Sequence, residues 1–127
     1  MLKGSCLCGE ISFKADAAAR DPAACHCSQC RKQSGHHWAS VQVMDDGLNV
    51  SGSPKWYTSS PGVRRGFCPT CGSFLFWKSD KDPDTGVSLG AIDAPTGMHL
   101  TRHIFVADKG DYYEIPRGTN QEEKTDG

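Results

Sequence analysis

The stretch "CPTCG" (68–72) sets two thiols three positions apart around Pro69 and closes on Gly72. This is the form of a metal knuckle. Pro69 pre-sets a tight turn, backbone N–H groups point at the sulfurs, and Gly72 supplies permissive dihedrals. A knuckle contributes only two ligands, so its partners lie elsewhere in the chain. "CLCG" (6–9) also ends in glycine, at the less specific C-x-C spacing, and "CHCSQC" (25–30) holds Cys25, Cys27 and Cys30. All seven cysteines therefore fall into three groups.

A closed structural zinc takes four protein ligands, whereas a catalytic zinc takes three and keeps one position for water or substrate. The cysteines divide naturally in the same way. Cys6, Cys8, Cys68 and Cys71 make a closed site that ties the N-terminal strand to the middle of the chain, which leaves Cys25, Cys27 and Cys30 with one position open. Two other partitions exist. Cys27 and Cys30 can pair with Cys68 and Cys71 as a ribbon-like site, or the 25–30 cluster can take a fourth ligand from His26, His36 or His37. The first partition leaves no cysteine idle. Burial of seven small hydrophobes is a poorer reading, because core packing does not generate three clusters at ligand spacings.

At 127 residues the chain fits one domain, read here as a zinc-binding β domain over 1–116 followed by a flexible polar tail, "RGTNQEEKTDG" (117–127). Fourteen Lys plus Arg stand against fifteen Asp plus Glu, interspersed along the chain, which excludes a polyanion-binding stripe. Arg31-Lys32 and Arg64-Arg65 read as solvated surface. No nucleic-acid or membrane partner is expected: no apolar run approaches the roughly 20 residues that span a bilayer, and "MLKGSCLCGE" lacks a signal-peptide core. The expectation is a soluble, cytoplasmic protein, in which clustered cysteines serve metal binding or catalysis rather than disulfides.

Short runs rich in Val, Ile, Phe, Trp and Thr, broken by Gly, Pro and Asp, predict an all-β fold. They are "ISFKA" (11–15), "WASVQVM" (38–44), "KWYTS" (55–59), "VRRGF" (63–67), "FLFW" (74–77), "VSLGAI" (87–92) and "TRHIFV" (101–106). In "WASVQV", Trp38, Ser40 and Gln42 fall on one face and Ala39, Val41 and Val43 on the other. One short helix is expected at "SQCRKQSG", with Ser28 as N-cap and Gly35 as left-handed terminator. "DPDTG" (82–86) reads as a turn. His26 is expected to point away from any metal held by its neighbours. His36 and His37 are placed for proton transfer or a surface loop, and His103 for a pocket wall or a half-buried hydrogen bond.

Together, "GSCLCGEISF" (4–13), "CHCSQCRKQSG" (25–35), "SSPGVRRGFCPTCGSFLFW" (59–77), "LGAIDAP" (89–95) and "HIFV" (103–106) resemble the glutathione-dependent formaldehyde-activating enzyme family, also called the centromere protein V family. The resemblance implies a zinc-pinned β-tent of the Mss4-like type, built of antiparallel sheets with one short helical turn. It implies structural zinc at Cys6, Cys8, Cys68 and Cys71 and a functional zinc at Cys25, Cys27 and Cys30, two per chain, the second labile. The implied activity is carbon–sulfur lyase chemistry, the condensation of formaldehyde with glutathione, with a small thiol and a small carbonyl compound as partners. Beside the resemblance, the place of His36 just past the helix terminator makes it a candidate accessory catalytic residue. A non-catalytic zinc-stabilised interaction module and a thiol redox or metal-buffer protein are the alternatives.

Overall fold

The computed structural model describes residues 1–16 and 19–124. Strands β1 (Leu2–Ser5), β2 (Ser12–Ala15) and β5 (Leu48–Ser51) form a three-stranded sheet in the order β1-β2-β5. The larger sheet uses β3 (Arg20–Cys25), β4 (Trp38–Met44), β6 (Lys55–Ser60), β7 (Val63–Phe67), β8 (Phe74–Ser79), β9 (Asp84–Ser88), β10 (Arg102–Ile104) and β11 (Asn120–Gln121). Its order is β11-β10-β3-β4-β9-β8-β7-β6. Pairing is antiparallel except at one edge, where β10 runs parallel to both β3 and β11. The all-β fold of antiparallel sheets with one short helix, expected from the sequence, is what the structure has, and this edge is its departure. A parallel partner needs a long crossover, and the chain from β3 to β10 supplies one.

The core lies between the two sheets. Phe13 and Ala15 of the small sheet, with Ile11 just before β2, meet Val41, Val43, Leu75, Phe76 and Val87 of the large one, and Cys6 and Cys68 belong to the same cluster. Phe13 and Phe76 pack edge-on, with ring centroids 5.7 Å apart. The sheets close tightly at Gly4, where an added Cβ would stand 2.3 Å from the Ala91 carbonyl oxygen and from the Phe13 ring. Only glycine fits at that crossing.

Alternation along β4 sends Val41 and Val43 into this core. The opposite face runs across the large sheet through the register pairs Gln42–Gly86, Gly86–Trp77 and Trp77–Arg65. Directly opposed residues share a face, so this second surface carries Trp38, Gln42, Trp77 and Arg65. The one α-helix among the described residues, α1 (Ser28–Ser34), reaches it through Cys30 and Gln33.

Several local expectations need correction. "VSLGAI" is strand only to Ser88 and then forms a 3₁₀ turn at Leu89–Ala91, while residues 84–86 of the "DPDTG" turn are already strand β9. Asp84 is drawn in there by an ion pair with Arg20 and is buried. "TRHIFV" ends as strand at Ile104, because Phe105 adopts φ 56°. In the tail, Asn120–Gln121 pairs with β10, and Glu122 accepts from Arg102 Nε at 2.6 Å. Composition alone hides a two-residue strand held by backbone bonds to β10 and by the Arg102–Glu122 ion pair; residues 125–127 of that tail lie outside the described residues.

Candidate metal centres

Two knuckles of the same form build the first centre. Cys6 N–H donates to the Ile11 carbonyl at 2.9 Å and Cys68 N–H to the Ser73 carbonyl at 3.0 Å, pinching each loop shut. Gly9 and Gly72 follow with φ of 82° and 80°, freeing amides to face sulfur: Ile11 N–H donates to Cys6 Sγ at 3.3 Å and Cys71 N–H to Cys68 Sγ at 3.5 Å. Leu7 N–H donates to Ser73 Oγ at 3.1 Å, tying one knuckle to the other.

The four sulfurs lie within 4.8 Å of one another. Cys6 and Cys8 Sγ are 3.6 Å apart, and Cys8 and Cys68 Sγ 3.8 Å. A tetrahedral zinc with Zn–S near 2.3 Å needs sulfur–sulfur edges of about 3.8 Å, so the donor set fits. The Ser73 hydroxyl, 3.2 Å from Cys71 Sγ, and the Ser73 backbone amide hold the Cys71 thiol down to about 5.

Cys25, Cys27 and Cys30 form the second centre, again with sulfurs within 4.8 Å, and no His, Asp or Glu among the described residues joins them. Cys25 ends β3 and Cys30 lies in the first turn of α1. Cys27, not Ser28, is the N-cap: its Sγ accepts from Cys30 N–H at 3.4 Å. The sulfur takes the place of the usual hydroxyl, so the bond that caps the helix also fixes the direction of the Cys27 sulfur. Gly35 closes the helix with φ 80°, as expected. Hydrogen bonds from the Cys25 and Cys30 thiols, helped by the Cys30 amide and the charge of Arg65, pull the Cys27 thiol far below its ordinary value.

The ribbon-like pairing of Cys27 and Cys30 with Cys68 and Cys71 does not occur, because those pairs belong to separate groups. His26 diverges from its cysteine neighbours but does not reach solvent. It is 1% exposed, with Nδ1 2.7 Å from Tyr113 Oη and Nε2 2.9 Å from His103 Nδ1. His37 is half-buried against this cluster. The exposed His36 ring packs on His37 and Tyr113, at centroid distances of 4.2 and 4.3 Å. Burial, reinforced by neighbouring imidazoles, pushes His26 and His37 down to about 4.

Arg64 and Arg65 are not a solvated pair. Arg64 is exposed and stacks over Trp56 at 4.8 Å, whereas Arg65 is 4% exposed and reaches Cys30. Neighbours on a strand face opposite ways, and that alternation in "VRRGF" was the available signal. Tyr113 had no such signal, since its contact with His26 spans 87 positions. Trp38, the register partner of Cys25, stacks on Phe74 at 4.3 Å, and its buried indole N–H has no hydrogen-bond partner among the described residues.

Fold and sites together define a two-sheet β protein with two cysteine centres of metal-ligand geometry. Residues 1–108 match the model of the GFA family, described as glutathione-dependent formaldehyde-activating enzyme. The chain belongs to this family. Its fold is similar to the crystal structure of a Rhodobacter sphaeroides protein, at 21% identity and TM-score 0.66 over 80% of this chain and 98% of that one. No curated protein gives a significant match.

Proposed function

We propose that the protein is a zinc-dependent thiol–aldehyde adduct enzyme of the carbon–sulfur lyase class, acting on a small thiol such as glutathione and a small carbonyl such as formaldehyde. The observation that carries this reading is the inequality of the two centres. One offers four sulfurs; the other offers three, although imidazoles lie close by. In this reading Cys6, Cys8, Cys68 and Cys71 hold structural zinc, and Cys25, Cys27 and Cys30 hold a second, exchangeable zinc. Family membership supports the substrate class.

A divalent ion on three thiolates would favour the deprotonated form of an incoming thiol. The thiolate lone pair forms the C–S bond, the carbonyl π pair moves to oxygen, and oxygen takes a proton from water; the lyase direction reverses each step. The chain's own part is orientation. Cys27 is held by the Cys30 amide, and the loop between Cys25 and Cys27 is held by the bonded His26 ring. His36 sits on the exposed side of the imidazole cluster, open to exchange with water.

Zinc analysis and exchange NMR test this together. Wild type should hold two zincs and accelerate exchange between formaldehyde and its glutathione adduct; Cys30→Ser should fold, keep one zinc and lose the acceleration. Two zincs retained in Cys30→Ser, or no acceleration by the two-zinc wild type, would count against the reading. A disulfide within 25–30 in protein purified with chelator-free buffers would favour the redox alternative.

A further inference from the structure

Arg65 is a buried cation, 4% exposed. Its Nε donates to Ser59 Oγ at 3.2 Å, and its Nη1 to Gln33 Oε1 at 2.7 Å and to Cys30 Sγ at 3.7 Å. No carboxylate pairs with it among the described residues. A guanidinium does not shed its proton, so its charge must be balanced where it stands. Ser59 and Gln33 are neutral. The remaining contact is a cysteine of the second centre.

The surroundings hold the guanidinium in place. The register of β6 against β7 shifts between Thr58 and Ser60, so Ser59 is an extra residue whose hydroxyl the bulge re-aims at Arg65. Phe74 lies against the guanidinium, 5.7 Å from ring centroid to Cζ. Helix α1 supplies Gln33 and Cys30 from the other side.

We propose that Arg65 is the built-in counter-cation of the Cys25–Cys27–Cys30 centre and biases its fourth position toward anionic over neutral ligands. This rests on the reading that the centre holds a divalent metal. A divalent ion with three thiolates carries one net negative charge, which Arg65 cancels. An anionic fourth ligand then joins a neutral unit instead of being repelled by an anionic one. A neutral donor gains nothing comparable, because its binding creates no new charge for Arg65 to meet.

The test uses cobalt(II)-loaded protein, whose visible and thiolate charge-transfer bands report a fourth ligand without any turnover. Thiocyanate, an anion, and imidazole, a neutral donor, are titrated into wild type, Arg65→Lys, Arg65→Met and Gln33→Glu. Gln33 is exposed, so Gln33→Glu places a carboxylate on Arg65 without disturbing the core and decides the matter if Arg65→Met fails to fold. With the charge removed or neutralised, the thiocyanate dissociation constant should rise about 10- to 100-fold, as expected for a partly screened charge a few ångströms away. Imidazole should change by less than about 3-fold, and Arg65→Lys should stay near wild type in the same scheme.

Equal weakening of both ligands in Gln33→Glu, or no change in either, would overturn the inference, because a merely structural arginine is blind to ligand charge. If wild type takes up one cobalt, at the four-cysteine centre alone, the metal reading itself fails and this inference with it. Two cobalts with charge-blind binding would sink the role of Arg65 alone.

Discussion

Tyr112 and Tyr113 are adjacent and both end in a hydroxyl, yet removing each hydroxyl should have very different effects. Tyr113 Oη lies 2.7 Å from Nδ1 of His26, a side chain only 1% exposed, and accepts from Gly110 N–H at 3.3 Å. Tyr113→Phe leaves the ring in place and strands two polar groups, one on an imidazole that is itself 1% exposed. An unsatisfied buried polar group costs about 1–3 kcal/mol. The Gly110 amide adds little where it is the weaker, longer bond. The expected loss is about 2 kcal/mol, or roughly 6–8 °C in Tm for a domain of this size. Tyr112 Oη donates to the Gly35 carbonyl at 3.2 Å in an exposed position, where water takes over, so Tyr112→Phe should cost no more than about 0.5 kcal/mol. Urea denaturation of both variants at neutral pH, with metal content held equal, measures the difference. Equal midpoints for the two variants would refute the view that Tyr113 anchors His26 and, through it, the loop between Cys25 and Cys27.

Three further outcomes are expected. Gly4→Ala forces a Cβ to 2.3 Å from the Ala91 carbonyl oxygen and the Phe13 ring, and should lower unfolding free energy by about 3 kcal/mol, the upper end of the usual cost of overpacking, read from the shift in urea midpoint. His37 is held down to about 4 by burial and by His36, and burial also lowers His103. In that range the unfolded chain binds more protons than the folded one, so stability should be full above about pH 6.5 and fall as pH drops toward 4. A His37→Gln variant measured over that range should show a shallower slope by up to about one proton. Glu122 accepts from Arg102 Nε at 2.6 Å and from Nη2 at 3.0 Å. Truncation after Pro116 should cost about 1 kcal/mol, within the range of a two-point, partly exposed ion pair, and amide exchange should speed at β10.

Much of the fold was legible because its strands alternate strongly. "WASVQVM" became β4 over its whole length, and "VRRGF" became β7. Strands β1, β3, β5 and β11 were not legible. Their sequences, "LKGS", "RDPAAC", "LNVS" and "NQ", are short, polar or small, and are strand only because neighbours supply hydrogen-bond partners. In β3 the obstacle is local: Pro22 and the φ of 61° at Asp21 fall where the register against β4 shifts, so the strand accommodates them as an irregularity.

The amino-acid sequence by itself determined three cysteine clusters at ligand spacing; that Cys6 and Cys8 join Cys68 and Cys71, across 60 positions, while Cys25, Cys27 and Cys30 stand apart was decided by the tertiary structure. Ligand spacing is a property of short loops, and the glycines and proline that shape the loops lie within a few positions of the sulfurs. Family membership follows from the same residues. Only the tertiary structure decided what surrounds the three-cysteine centre. Arg65 meets Cys30 across 35 positions and Tyr113 meets His26 across 87. A cation's burial and an imidazole's partner depend on which sheet face and which returning segment close over them. The spacing within each cysteine cluster is local, whereas the grouping of the clusters and their electrostatic environment are long-range, which is why the first could be read along the chain and the second could not.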